Sequence, residues 1–143
     1  MKPDSKFILS ASRRTDIPAF YMDWFMDRIM KGFFNIQNPY SKKITRVQAT
    51  PDKVGAIVFW SKDFTSFIVS KTGKTLLSMG YRLYFNFTVN SASEILEPQL
   101  PPLDARLDQM EQMACTFGAD TIAWRFDPIC FFQTKESGPI RNN

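Results

Sequence analysis

The sequence predicts an α/β fold, a parallel sheet assembled in the order βαβαβαβ. Three observations carry this. Four apolar runs, at residues 7–11, 56–60, 81–89 and 121–124, read as strands. The stretches between them carry apolar residues at helical spacing. One run, Ala56-Ile57-Val58-Phe59-Trp60, is apolar throughout, as in strands covered on both faces of a parallel sheet. Strands alternating with helices call for right-handed crossovers and parallel pairing. A small open sheet accommodates four such units. So does half of a TIM-type (β/α) barrel, since 143 residues are near half of the ~250 a full barrel needs.

The first strand runs into Ser10-Ala11-Ser12-Arg13-Arg14-Thr15-Asp16-Ile17-Pro18. Thr15 or Asp16 is placed to cap the helix that follows, Pro18 suits its first turn, and Gly32 ends it. Ile17, Phe20, Tyr21, Trp24, Phe25 and Ile29 form its apolar stripe. Met22, Met26 and Met30 form a second stripe, which reads as packing because Met fills irregular gaps. Residues 32–50 read as irregular, with a turn at Asn38-Pro39 and a short strand over 44–49. The strand at 56–60 stops at Ser61-Lys62-Asp63. A helix bearing Phe64, Phe67 and Ile68 follows and is broken or ended near Gly73. Gly73-Lys74-Thr75 resembles a phosphate loop, but that loop needs a glycine five residues earlier, and Ile68 stands there.

The third strand alternates Leu83, Phe85 and Phe87 with Tyr84, Asn86 and Thr88. Residues 90–102 form a polar, proline-bearing loop. Leu103, Leu107, Met110, Ala114 and Phe117 then mark the clearest helix, with Asp104 in its first turn and Gly118 past its end. Cys115 reads as packing beside that stripe. The fourth strand closes in Arg125-Phe126-Asp127-Pro128. Residues 133–143 read as a loop.

Composition bounds the chemistry. At 44% hydrophobic and 15% aromatic the chain has ample core material, which excludes disorder. A net charge of +4 permits an anionic partner without the dense basic stripe of a dedicated nucleic-acid binder. There is no histidine, so no Ser-His-Asp or Cys-His triad can form, and the commonest metal ligand is missing. Cys115 and Cys130 make no CxxC pair. No metal site or cofactor is expected within the chain, and a reducing cytoplasm is the expected setting. Met1-Lys2-Pro3-Asp4-Ser5-Lys6 opens no signal peptide. No run approaches the ~20 apolar residues of a membrane span. The sequon Asn86-Phe87-Thr88 falls inside a strand and is discounted.

Each strand ends in polar residues that its apolar body does not require. They are Ser12, Arg13, Arg14, Thr15 and Asp16; then Lys62; then Asn86 and Thr88; then Arg125 and Asp127. Parallel strands bring such ends to one face. That face carries four cations with Asp16 and Asp127 as counter-charges, and guanidinium forks bind phosphates and carboxylates. A small anionic ligand is the expected partner. Trp60 and Trp124 can wall a pocket there. Stacking by these rings gives the alternative, a nucleotide or nucleic-acid binding module. The plainer reading makes Arg14–Asp16 and Arg125–Asp127 ion pairs that pin loops, gives both aspartates capping roles, and buries the tryptophans in the core.

Four blocks are distinctive: Ser10-Ala11-Ser12-Arg13-Arg14-Thr15-Asp16-Ile17-Pro18-Ala19, Val58-Phe59-Trp60-Ser61-Lys62, Phe85-Asn86-Phe87-Thr88 and Trp124-Arg125-Phe126-Asp127-Pro128-Ile129. In order and over essentially the whole chain, they resemble the signature blocks of bacterial domain-of-unknown-function family 1848. The resemblance implies a radical S-adenosylmethionine-like barrel about twice this length. Its iron-sulfur cluster would be bound by cysteines of the C-terminal half. The chain then reads as a single truncated (β/α) domain over residues 1–143, without internal boundary and inactive alone. Its open sheet edge would favour self-association.

Overall fold

The computed structural model describes residues 5–133 and 138–142. In chain order its elements are β1 (Phe7–Ser10), α1 (Ile17–Phe20), α2 (Met22–Lys31), β2 (Phe33–Gln37), β3 (Ile44–Gln48), β4 (Val54–Ser61), α3 (Thr65–Val69), α4 (Thr72–Ser78), β5 (Leu83–Thr88), α5 (Leu103–Phe117), β6 (Ile122–Arg125), β7 (Phe131–Phe132) and β8 (Arg141–Asn142). A single 3-10 turn precedes β6. β1, β4, β5 and β6 form a parallel sheet whose spatial order is also their chain order.

Phenylalanine decides which side of the sheet is covered. Ile57 and Phe59 of β4 and Phe85 and Phe87 of β5 have no exposed surface. Side chains alternate faces along a strand, so these four share one face. The Phe59 ring lies 5.4 Å from Phe25 of α2 and 5.2 Å from Phe67 of α3. Phe85 lies 5.1 Å from Phe117 of α5. These ring pairs are tilted or edge-on, the favoured geometries, and each buried ring contributes about 1.5–3 kcal/mol by area alone.

The alternate positions point the other way: Ala56, Val58 and Trp60, then Tyr84, Asn86 and Thr88, then Ala123 and Arg125. None of them belongs to the buried core. Burial of the 56–60 run on both faces is therefore corrected. One face is packed; the other is half-buried and has no layer among the described residues.

Three further expectations change. The helix expected over residues 16–32 breaks at Tyr21, whose backbone leaves the helical region. α1 buries Ile17 and Pro18, and α2 buries Met22, Phe25 and Ile29. Phe20, Tyr21 and Trp24 of the expected stripe are exposed, and so is Met30. A one-residue break shifts the register of the stripe without erasing its period. Gly32 does end α2, in the left-handed region at φ 75°.

The turn at Asn38-Pro39 and the strand expected over 44–49 are present, the latter as β3; what was not expected is its partner β2, which makes the stretch an antiparallel hairpin, Phe33 pairing with Gln48 and Gln37 with Ile44. The helix break expected near Gly73 comes just before it. α3 ends at Val69 with Ser70 as its cap, Lys71 takes a positive φ of 54°, and Gly73 itself sits inside α4. A Cβ there would come within 2.4 Å of the Phe117 ring and 2.8 Å of Phe67, so its role is to admit those rings.

The loop expected at residues 133–143 lies partly outside the described residues. Within them, Arg141–Asn142 pairs with Phe131–Phe132. Met1–Asp4, where the absence of a leader was read, also lie outside them.

Candidate functional site

The turn after β1 is divided between two neighbours. Ser12 and Asp16 face the end of β4. The Trp60 amide donates to Ser12 Oγ at 3.3 Å. Asp16 caps α1 by accepting from the Ala19 amide at 3.1 Å, and its other oxygen lies 2.7 Å from Ser61 Oγ. Burial pushes the Asp16 carboxyl above its ordinary range, against the hydrogen bonds from Ser61, Ala19 and the Lys62 amide.

Arg13, Arg14 and Thr15 turn toward the hairpin instead. Arg14 Nη1 donates to the Gln37 carbonyl at 2.8 Å, clasping the end of β2. The Arg14–Asp16 pair considered from sequence therefore gives way to two other bonds. Arg13 is exposed and has no hydrogen-bond or ion-pair partner among the described residues. The turn, α2 and β2 together enclose an open cleft of about 820 Å3. Its lining includes both arginines, Tyr21, Trp24, Asn35 and Gln37, and no acidic side chain among the described residues.

The ends of β4, β5 and β6 form a second cluster, closed on itself. Lys62 pairs with Glu97 of the 90–102 loop. Asn90, 2% exposed, ties that loop to the end of β6. Its Nδ2 donates to Glu97 Oε1 at 3.3 Å and to the Asp127 carbonyl at 3.2 Å, while its Oδ1 accepts from the Asp127 amide at 2.9 Å. Buried Arg106 of α5 supports the same loop through the Pro101 and Asn90 carbonyls.

Arg125 pairs with Asp127 at 3.0 Å and lies over the Trp60 ring, 4.6 Å from its centroid. In register, Asn86 stands beside Trp60 and Thr88 beside Arg125. Asp127 caps no helix; a coil follows it. Trp124 aligns with Phe87, on the face opposite Trp60, and is 66% exposed with its indole N–H on the Val89 carbonyl. The two tryptophans therefore neither wall one pocket nor share the core.

The expected strand-end residues thus fall into two sets of contacts, joined by the bonds of Ser12 and Asp16 to the end of β4. The hairpin, of which the sequence showed the turn and β3 but not β2, holds Arg14 through the Gln37 carbonyl. Its signal was present: Phe33-Phe34-Asn35-Ile36 and Ile44-Thr45-Arg46-Val47 flank Asn38-Pro39. Glu97 was missed because a lone loop carboxylate has no pattern. Trp24 was absorbed into a helical stripe.

The sequence profile of the family described as domain of unknown function (DUF1848) matches residues 8–141. The chain belongs to that family. The DUF1848 match takes in both clusters, from the Arg13 turn to Asp127. No curated protein and no solved structure matches the chain. Among the described residues of this DUF1848 chain, no group of three or more His, Cys, Asp or Glu side chains is placed to hold a metal ion. None of the described helices is long and apolar enough to cross a membrane.

Proposed function

We propose that these residues are the anion-holding part of an enzyme built on a barrel-type parallel sheet. One observation carries the reading. Arg13 presents a guanidinium to a cleft of about 820 Å3 whose lining has no acidic side chain among the described residues. An unneutralised guanidinium is a fork for phosphate or carboxylate. The volume suits a small-molecule site. The cleft also sits at the carboxyl end of β1, where the functional loops of barrel sheets collect.

Half of a TIM-type barrel is the finer fold this reading uses. Doubly wound sheets carry helices on both faces. Here the ring contacts lie on one face and the strands follow chain order, which supports a barrel wall. Closing it requires strands beside β1 and β6, from further residues or by self-association through the open edges.

The iron-sulfur chemistry implied by the resemblance does not fit donors within this chain. Its two cysteines are Cys115, exposed on α5, and Cys130 after β6. Such a cluster would be held by residues outside the chain, and binding without turnover is the activity proposed for these residues alone. The two cysteines without a framework suit a cytoplasmic setting. Less supports the nucleic-acid alternative: Lys62 and Arg125 carry carboxylates, and Trp60 lies beneath Arg125.

Titration of the purified chain with inorganic phosphate at low salt, followed calorimetrically, tests this. Binding is expected to weaken about ten-fold in Arg13→Ala, the loss of one charge-assisted fork. Lys62→Met should leave it within about two-fold, since Glu97 already neutralises Lys62. Absence of phosphate binding at low salt would overturn the reading.

A further inference from the structure

The walls of the same cleft carry an assignment of ligand class, which rests on the anion-holding reading above. Trp24 is 49% exposed and Tyr21 48% exposed. Both line the cleft beside two arginines. The Trp24 ring is held at 5.7 Å from Phe34, which is itself packed at 5.3 Å against Phe25 of the core. Trp24 is therefore a braced aromatic platform with an accessible surface. Asn35 alternates with Phe34 along β2 and pairs with Arg46, so its carboxamide lies on the other face of the hairpin and only its position on the strand borders the cleft.

We propose that the cleft takes a planar heterocyclic anion of mononucleotide size. Its ring lies on Trp24, and its phosphate reaches Arg13 with the Thr15 hydroxyl nearby. Arg14 is a positioning residue. Its bond to the Gln37 carbonyl sets the hairpin, and with it the Phe34 ring that braces Trp24, against the turn. The platform is thus neither Trp60 nor Trp124.

Three probes separate the parts: adenosine monophosphate, ribose 5-phosphate and inorganic phosphate, each titrated into the full chain. The nucleotide should bind about ten-fold tighter than ribose 5-phosphate, the usual scale of one base stacked on one aromatic ring. Trp24→Ala should bring the nucleotide down to the ribose 5-phosphate level and leave the latter within about two-fold. Trp60→Phe should change neither. Trp24→Leu keeps more of the packing on Phe34 and should behave as Trp24→Ala does.

Amide and indole nitrogen–proton spectra of the wild-type chain give an independent reading. The nucleotide should move the Trp24 indole signal and leave Trp124 unmoved. Equal binding of nucleotide and ribose 5-phosphate, both lost in Arg13→Ala, would refute the planar ligand and leave the anion-holding reading intact. Binding of none of the three would refute both. Tight nucleotide binding that shifts Trp60 and spares Trp24 would overturn the placement.

Discussion

The turn after β1 and the ends of β4 and β6 carry the same kinds of side chain, two cations in each, yet they are chemically opposite. Lys62 and Arg125 have carboxylates of their own, Glu97 and Asp127. Arg14 spends one N–H on a backbone carbonyl, and Arg13 has no partner among the described residues. The difference shows that a basic residue at a strand end says little until its counter-charge is located. At β4 and β6 the cations build the molecule. At β1 one cation, Arg13, has no counter-charge among the described residues.

Four experiments break or sharpen that contrast. The largest effect is expected from Lys62→Met. Its partner Glu97 has a side chain only 14% exposed, with one oxygen already lacking a partner. Stranding that carboxylate should cost about 1–3 kcal/mol in chemical denaturation, without loss of phosphate binding. A stability equal to wild type would show that the pair is ornamental.

Glu97→Gln is the converse change. It frees the Lys62 ammonium and should create a second, salt-sensitive phosphate site, seen as a rise in stoichiometry. An unaltered titration would mean that Lys62 cannot reach a ligand even when unpaired.

Asp16→Asn addresses acid titration. The folded-state pKa of Asp16 is raised above 3.8, so the folded chain holds this proton more tightly than the unfolded chain. The contribution of Asp16 to stability is then fully present below 3.8 and is lost as pH rises through the folded value. Asparagine keeps an acceptor for the Ala19 amide and cannot ionise. Its stability relative to wild type should therefore improve between pH 3 and pH 7, measured as unfolding midpoints. A constant difference across that range would contradict the burial of the charge.

The smallest effect belongs to Asp127→Asn. Arg125 and Asp127 are 35% and 56% exposed, so their pair should be worth less than about 1 kcal/mol. A thermal midpoint lowered by many degrees would give this pair a larger part in holding β6.

The parallel sheet was legible because apolar runs and helical periods are local signals. Leu83, Phe85 and Phe87 announced the covered face of β5, and Asp16 announced its cap. The split at Tyr21 was not legible, because one non-helical residue barely disturbs a 3.6-residue period. Nor was the hairpin's effect on the site. Arg14 could be read as a cation, but its choice of the Gln37 carbonyl over Asp16 depends on how a segment twenty-three residues away folds back. The 56–60 run misled for a related reason. Apolar residues at every position state what each face of a strand tolerates, not whether a layer lies against it.

That one-sided cover has a consequence for amide hydrogen exchange. β4 and β5 are paired along both edges, whereas β1 and β6 are each paired along one. Exchange should be slowest in the centre of the sheet and accelerate toward both rims. Along β1 and just past it, the amides bonded to β4, such as Ala11 on the Val58 carbonyl, should be protected while those directed outward exchange freely. A strand added at either edge, as the proposed barrel would require, would appear as new protection along those outer rims.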